Sequence, residues 1–132
     1  MTTKLFGASV RRVGDARLVR GAGHYLDDVA LPGTVHVALV RSTHAHARLR
    51  AIDATRARSL PGVVDVVSHA DLGRAGAPFP LLLPHHGLVA LTWRALAAVK
   101  VRFVGEAIAA VVAGDRYRAE DAAERIAVDY EP

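Results

Sequence analysis

Between Leu31 and Asp53 the chain reads LPGTVHVALVRSTHAHARLRAID, and this stretch constrains the fold more than any other. Pro32-Gly33 is a turn signal, since proline presets φ and glycine accepts the positive φ that follows. Val35, Val37 and Leu39 then alternate with His36, Ala38 and Val40, the two-residue period of a strand. Beyond Arg41-Ser42-Thr43 and His44-Ala45-His46-Ala47, Leu49 and Ala51 alternate with Arg48 and Arg50. The pattern predicts a hairpin with strands at roughly 34–41 and 46–53. The arginines that bracket it are unsuited to a core and point to water or a partner.

The rest of the chain supplies further elements. Residues 1–20 are polar and basic with no clear period, so an extended arm or loop is expected, followed by a short strand around His24–Leu26. Asp53 suits a helix N-cap, with Ala54, Ala57 and Leu60 facing inward and Pro61-Gly62 ending the helix. Val63–Ser68 is rich in β-branched residues and reads as a buried strand. Ala70–Leu72 is expected to form a single turn. Gly73, Gly76, Pro78, Pro80 and Pro84 open a long irregular segment that runs to residue 98. Val101–Val104 and Ala107–Ala113 read as strands, with Gly105-Glu106 as a bulge between them. Asp115 caps a last helix whose Ala119, Ala122, Ala123 and Ile126 fall at i, i+3, i+4 and i+7, one buried alanine-lined face. Ala127–Tyr130 returns as a strand. Strands mixed with two or three helices indicate an α+β domain.

A length of 132 residues suits one domain, able to bury roughly two-thirds of its unfolded surface. With no cysteine, the chain cannot form disulfides or hold a cysteine-ligated iron–sulfur cluster. No secretory signal is expected, because Leu5–Val10 is short, interrupted, and followed at once by Arg11-Arg12. The longest apolar run, Ala107–Ala113, falls well short of the roughly 20 residues of a membrane span. A cytoplasmic chain is the expectation. The net charge of +4 comes from 17 Lys+Arg against 13 Asp+Glu, and Lys4 and Lys100 are the only lysines. Neither an aromatic stacking platform nor a recognition-helix pattern accompanies this charge, so a nucleic-acid partner is not expected. An arginine-rich solvated face is the simplest reading, and contact with an acidic partner subunit the next.

Candidate chemistry is sparse. His44 and His46 at i and i+2 of a strand would share a face and could meet one ion, with His24, Asp27 or Asp28 as further ligands. His85-His86 lies in the proline-rich segment, where adjacent side chains diverge. Gly21-Ala22-Gly23 lacks the third glycine of a dinucleotide fingerprint, since Leu26 occupies that position. No serine-nucleophile motif, paired-carboxylate motif or phosphate loop is present.

The string from Leu31 to Arg48 resembles the start of the large, molybdenum-binding subunit of the carbon monoxide dehydrogenase, aldehyde oxidase and xanthine dehydrogenase family. The resemblance extends in order through Arg11-Arg12-Val13-Gly14-Asp15, Gly21–Tyr25, Asp27-Asp28, Leu60–Val64, Asp71-Leu72, Val101–Glu106, Ala119–Glu124 and Val128–Pro132, with a gap around 73–90. Thr43 and Ala107 stand where the family usually has proline, which loosens the backbone at both places. The resemblance implies an α/β hammerhead domain at 21–132 after an arm at 1–20, with the molybdenum-binding domains outside this chain. A fragment or one product of a split large subunit is then expected.

By the same resemblance, the family oxidises a carbon centre with oxygen from water, and the assembled complex carries a molybdenum–pterin cofactor, iron–sulfur clusters and FAD. None of these is expected in this chain, nor is any catalytic, cofactor-binding or metal-ligating residue. The implied partners are the molybdenum-binding domains or subunit, the iron–sulfur small subunit and an FAD-binding medium subunit. The family's general-base glutamate lies far beyond this chain, so Glu106 is expected to be structural rather than to line a substrate channel. Arg41, His44, His46, Arg48 and Glu106 are the expected subunit- or domain-contact residues, and a structural, subunit-contact domain inactive by itself is the expected function. A free-standing scaffold or regulatory module is the alternative, and a basic nucleic-acid or anion binder the next. The resemblance leaves the substrate open among carbon monoxide, aldehydes and heterocycles.

Overall fold

The computed structural model describes residues 6–80, 85–89 and 92–132, which separate into two compact units, one up to Thr34 and one spanning Val35–Pro132. In the first unit, the described part of the segment expected as an arm or loop over 1–20 includes one short helix, α1 (Asp15–Val19). The strand expected at His24–Leu26 is likewise absent. Leu26–Asp28 is a 3-10 turn, held by the Asp28 carboxylate, which accepts from the Tyr25 amide at 2.8 Å. A side chain that captures a nearby backbone N–H competes with strand pairing and here prevails. Phe6, Val13 and Leu26 are almost fully exposed.

The second unit contains β1 (His36–Arg41), β2 (Ala47–Asp53), α2 (Thr55–Arg58), β3 (Val63–Ser68), β4 (Lys100–Val101), β5 (Ala107–Ala113), α3 (Arg116–Ala123) and β6 (Ala127–Glu131). These build two antiparallel sheets of three strands, ordered β1-β5-β3 and β4-β2-β6. The expected hairpin is therefore not formed. β1 and β2 are strands where the alternation placed them, but they belong to different sheets. Alternation marks the strand but neither its buried face nor its partner: Val35, Val37 and Leu39 are exposed, while Ala38 and Val40 are half-buried.

In the first sheet Ala38, Val111 and Val66 lie opposite one another across three strands. Val66 and Val111 join a buried cluster with Ala54, Ala57, Ala122 and Ile126, so α2, α3 and this sheet face share one core. Ala119 and Ala122 are buried as their spacing requires. Their short side chains let the helix lie close to the sheet, which suits a chain with few aromatic residues. A second cluster, Ala47, Ala97, Val101 and Ile108, is bordered by Ile52 and Val128, which also border the first.

Local chemistry explains the boundaries. The Asp115 carboxylate accepts from the Arg118 amide at 2.8 Å and starts α3. Asp115→Ala should cost about 1 kcal/mol, the usual loss for an N-cap, read from the shift in urea midpoint at constant slope. Gly62 adopts φ 84° between α2 and β3, and a Cβ there would meet the Arg118 side chain at 2.6 Å. The turn expected at Ala70–Leu72 is longer, a 3-10 segment over His69–Gly76 broken at Gly73.

Two exposed carboxylates tie short connections. Hydrogen bonds from the Thr55 hydroxyl and amide hold Asp53 below the usual carboxylate range, and the Ser68 hydroxyl and amide do the same for Asp71. Each group binds protons less readily folded than unfolded, so its stabilisation is present above the ordinary aspartate pKa of about 3.9 and is lost as pH falls through the folded value. Denaturation curves from neutral to strongly acidic pH should show that loss, and the slope should flatten in Asp53→Asn and Asp71→Asn. An unchanged slope in both variants would remove these residues from the acid response.

Candidate functional site

Two of the strings singled out in the sequence, around Arg41–His46 and Val101–Glu106, meet where the chain passes twice between the two sheets. One passage is the connection from β1 to β2, residues 42–46; the other is the connection from β4 to β5, residues 102–106. The two are joined by backbone hydrogen bonds. The Ser42 amide donates to the Glu106 carbonyl at 2.9 Å, and the Gly105 amide donates to the Ser42 carbonyl at 2.8 Å. Arg41 adds a third link, its Nη1 donating to the Gly105 carbonyl at 2.9 Å. Gly105 lies at φ 90°, a conformation that a side chain would strain.

Ser42 is the one buried polar residue among the described residues. Its Oγ donates to the His44 carbonyl at 2.8 Å and accepts from the His44 amide at 3.0 Å. Both capacities of the hydroxyl are thus satisfied, and the connection folds tightly about it. Glu106 works in the same way on the opposite passage. Its carboxylate accepts from the Arg102 amide and lies 3.6 Å from the Arg102 guanidinium. That hydrogen bond removes the Arg102 amide from the strand ladder, and the Glu106 amide closes a turn onto the Phe103 carbonyl at 3.2 Å. The strand expected over Val101–Val104 consequently stops at Val101.

The two histidines do not sit on a strand, so the shared-face argument for a metal pair fails. The His44 ring stacks on Tyr130 of β6, with centroids 4.3 Å apart and planes inclined by 29°, and its Nδ1 lies 3.2 Å from the Thr43 hydroxyl. His46 is exposed in the connection. Arg48 lies on β2, opposite Lys100 on one side and Glu131 on the other. Arg41, His44 and Glu106 are thus gathered around Ser42. No hydrogen bond or ion pair among the described residues links His46 or Arg48 to that group. Among the described residues, no three His, Asp or Glu side chains converge in a group that could hold a metal ion.

Beside the crossing opens a cleft lined by Arg41, Trp93, Arg94, Lys100, Phe103 and Glu106, among others. Trp93 and Phe103 touch, their ring centroids 5.7 Å apart. The irregular segment is anchored here: the Phe79 amide donates to the Trp93 carbonyl at 2.8 Å, and Arg94 Nη1 donates to the Gly76 carbonyl at 2.6 Å. Sequence reading missed Ser42, Arg102, Trp93 and Phe103. The Arg102–Glu106 spacing was a usable signal, whereas nothing in the aperiodic stretch around Trp93 announces the cleft.

Residues 20–132 match the family model described as aldehyde oxidase and xanthine dehydrogenase, a/b hammerhead domain. The carbon monoxide dehydrogenase large chain of Afipia carboxidovorans is 46% identical over 127 residues, covering 96% of this chain and 15% of its own length. The 6-hydroxypseudooxynicotine dehydrogenase complex subunit gamma of Paenarthrobacter nicotinovorans is 39% identical, covering 96% of this chain and 16% of its own. Among solved structures, quinoline 2-oxidoreductase from Pseudomonas putida 86 superposes with a TM-score of 0.86 at 43% identity, covering 95% of this chain and 16% of that one. The chain spans only about one-sixth of the length of these relatives. Its two sheets, its helices and its converging motifs make it a member of the aldehyde oxidase and xanthine dehydrogenase family, in which it corresponds to the α/β hammerhead domain.

Proposed function

We propose that this chain is a structural, subunit-contact domain of a molybdenum hydroxylase large subunit, inactive in isolation and working in the cytoplasm. One observation carries the reading: the Glu106 carboxylate, the best-placed acid at the motif crossing, is committed to the chain's own Arg102 amide and guanidinium. A carboxylate so engaged holds backbone; it is not poised to receive a substrate proton, which requires reach to a reacting atom. Ser42 and Arg41 are spent likewise on the backbone of the crossing. The motifs therefore build a rigid scaffold.

In the assembled enzyme, molybdenum–pterin, iron–sulfur and flavin groups would supply redox chemistry from other domains and subunits, with oxidative hydroxylation of a carbon centre as the outcome. This chain's part is to hold its surface for those partners, including the molybdenum-binding domains, an iron–sulfur small subunit and an FAD-binding medium subunit. Arg41, His44, His46, Arg48 and Glu106 lie in or beside that surface. The arm at 1–20 precedes the hammerhead domain at 21–132. Among the described residues no helix is long and apolar enough to cross a membrane.

The test is recovery of the tagged chain from its native host, with mass spectrometry and metal analysis of what accompanies it. Molybdenum and iron should co-elute with larger chains carrying the rest of the enzyme. A chain recovered alone and free of metal would overturn the assembly role and favour a free-standing scaffold.

A further inference from the structure

The cleft beside the crossing has an unusual chemistry. Trp93 and Phe103 are 56% and 43% exposed, in contact with each other and not covered by the core. Around them stand four cations, Arg41, Arg94, Lys100 and Arg102, with Glu106 as the single carboxylate of the lining. Glu106 is already paired with Arg102, which leaves the cleft strongly positive. Lys100 is set directly opposite Arg48 across the β2–β4 ladder. Like charges so placed repel and destabilise the pair. Nothing in the chain's own described residues neutralises Lys100.

We propose that this cleft docks an acidic segment with an apolar anchor, contributed by the molybdenum-binding part of the same enzyme. The proposal rests on the assembly reading above and names what the partner presents. The apolar anchor would cover Trp93 and Phe103, and its carboxylates would answer Lys100 and Arg94. Aromatic anchors in a desolvated pocket with charged rims are where binding energy concentrates. A nucleic-acid strand fits less well. The two rings touch at 35° instead of offering parallel stacking faces.

Two sequence facts make the test direct. Trp93 is the only tryptophan, so intrinsic fluorescence reports this cleft alone. Lys100 is one of only two lysines, the other being Lys4, so zero-length carbodiimide coupling of lysine to carboxylates has few sites. The complex recovered from the host is coupled and analysed by mass spectrometry, and Trp93 emission is compared before and after the tagged chain binds tryptophan-free partner subunits. The expected result is a Lys100 cross-link to an aspartate or glutamate of the molybdenum-binding chain, flanked by apolar residues, with a blue shift of Trp93. Lys100→Glu should weaken capture of that chain by about tenfold or more.

A complex that forms without the cross-link and without the shift overturns the cleft proposal while leaving the assembly role intact. Failure to form any complex removes both. A Lys100 cross-link between light- and heavy-labelled copies of this chain would assign the cleft to self-association. Salt-sensitive quenching of Trp93 by a dT oligonucleotide, competing with the partner, would assign it to nucleic acid. Either result overturns the proposal.

Discussion

Replacing Ile108 by alanine should destabilise the chain by about 2–5 kcal/mol, whereas Ile108→Val should cost only about 0.5–1.5 kcal/mol. Ile108 is fully buried and belongs to β5 of the first sheet, yet its cluster is made with Ala47 and Val101 of the second sheet and with Ala97. It is the fully buried side chain that the first sheet places in the second sheet's cluster, beside the bridging Ile52 and Val128. The buried neighbours are two alanines and a valine, with the larger Leu49, Ile52, Val128 and Tyr130 packed around them. How far these side chains move into the vacated space sets where in the range the cost falls. A domain of this size has about 5–15 kcal/mol in all, so the variant would lose a large share of it. Urea unfolding of purified chains measures the loss. Hydrogen exchange locates it: amides of β2 and β4 should lose protection more than those of β3, whose core lies with α2 and α3. A cost below 1 kcal/mol would mean that the two sheets are not joined through this residue.

Ile108 also marks how far the sequence could be read. β3 falls at Val63–Ser68 as expected, because a β-branched run bounded by Pro61-Gly62 leaves little freedom in where it begins or ends. α3 likewise follows from the Asp115 cap and the alanine stripe. Pairing was not legible. Val37 and Leu39 announce β1 by alternation, but the choice of β5 over β2 as neighbour depends on contacts more than sixty residues away. Residues 44–46 illustrate the consequence for the site. A strand there would have put His44 and His46 on one face; the passage between sheets instead turns His44 onto Tyr130. The end of β4 was hidden for a different reason. Val101–Val104 has strand propensity, but the Glu106 carboxylate competes for the Arg102 amide and wins, since a bond to a charged acceptor outweighs a neutral ladder bond. The family motifs were legible as strings. That Arg41-Ser42 and Gly105-Glu106 are neighbours in space was not.

Glu106→Ala is the second large effect expected, about 1.5–3 kcal/mol, the range for a hydrogen bond to a charged partner. Its carboxylate is only 13% exposed, so water does little to replace what is lost. Without it the Arg102 amide and guanidinium lose their shared acceptor, and the turn over 102–106 loses the contact that closes it. The Glu106 carbonyl then holds Ser42 less well, and the damage passes to the β1–β2 connection through the Ser42 and Gly105 amides. Those two amides should exchange with solvent markedly faster in the variant, while the Arg118 amide capped by Asp115 should not. Glu106→Gln separates geometry from charge. The glutamine oxygen can still accept from the Arg102 amide, so the variant should recover more than half of the lost stability and retain capture of partner chains. Full retention of stability in Glu106→Ala, with the Ser42 and Gly105 amides still protected, would show that the crossing is held by its backbone alone. The carboxylate would then be free for another task, and a scaffold role for the crossing would lose its main support.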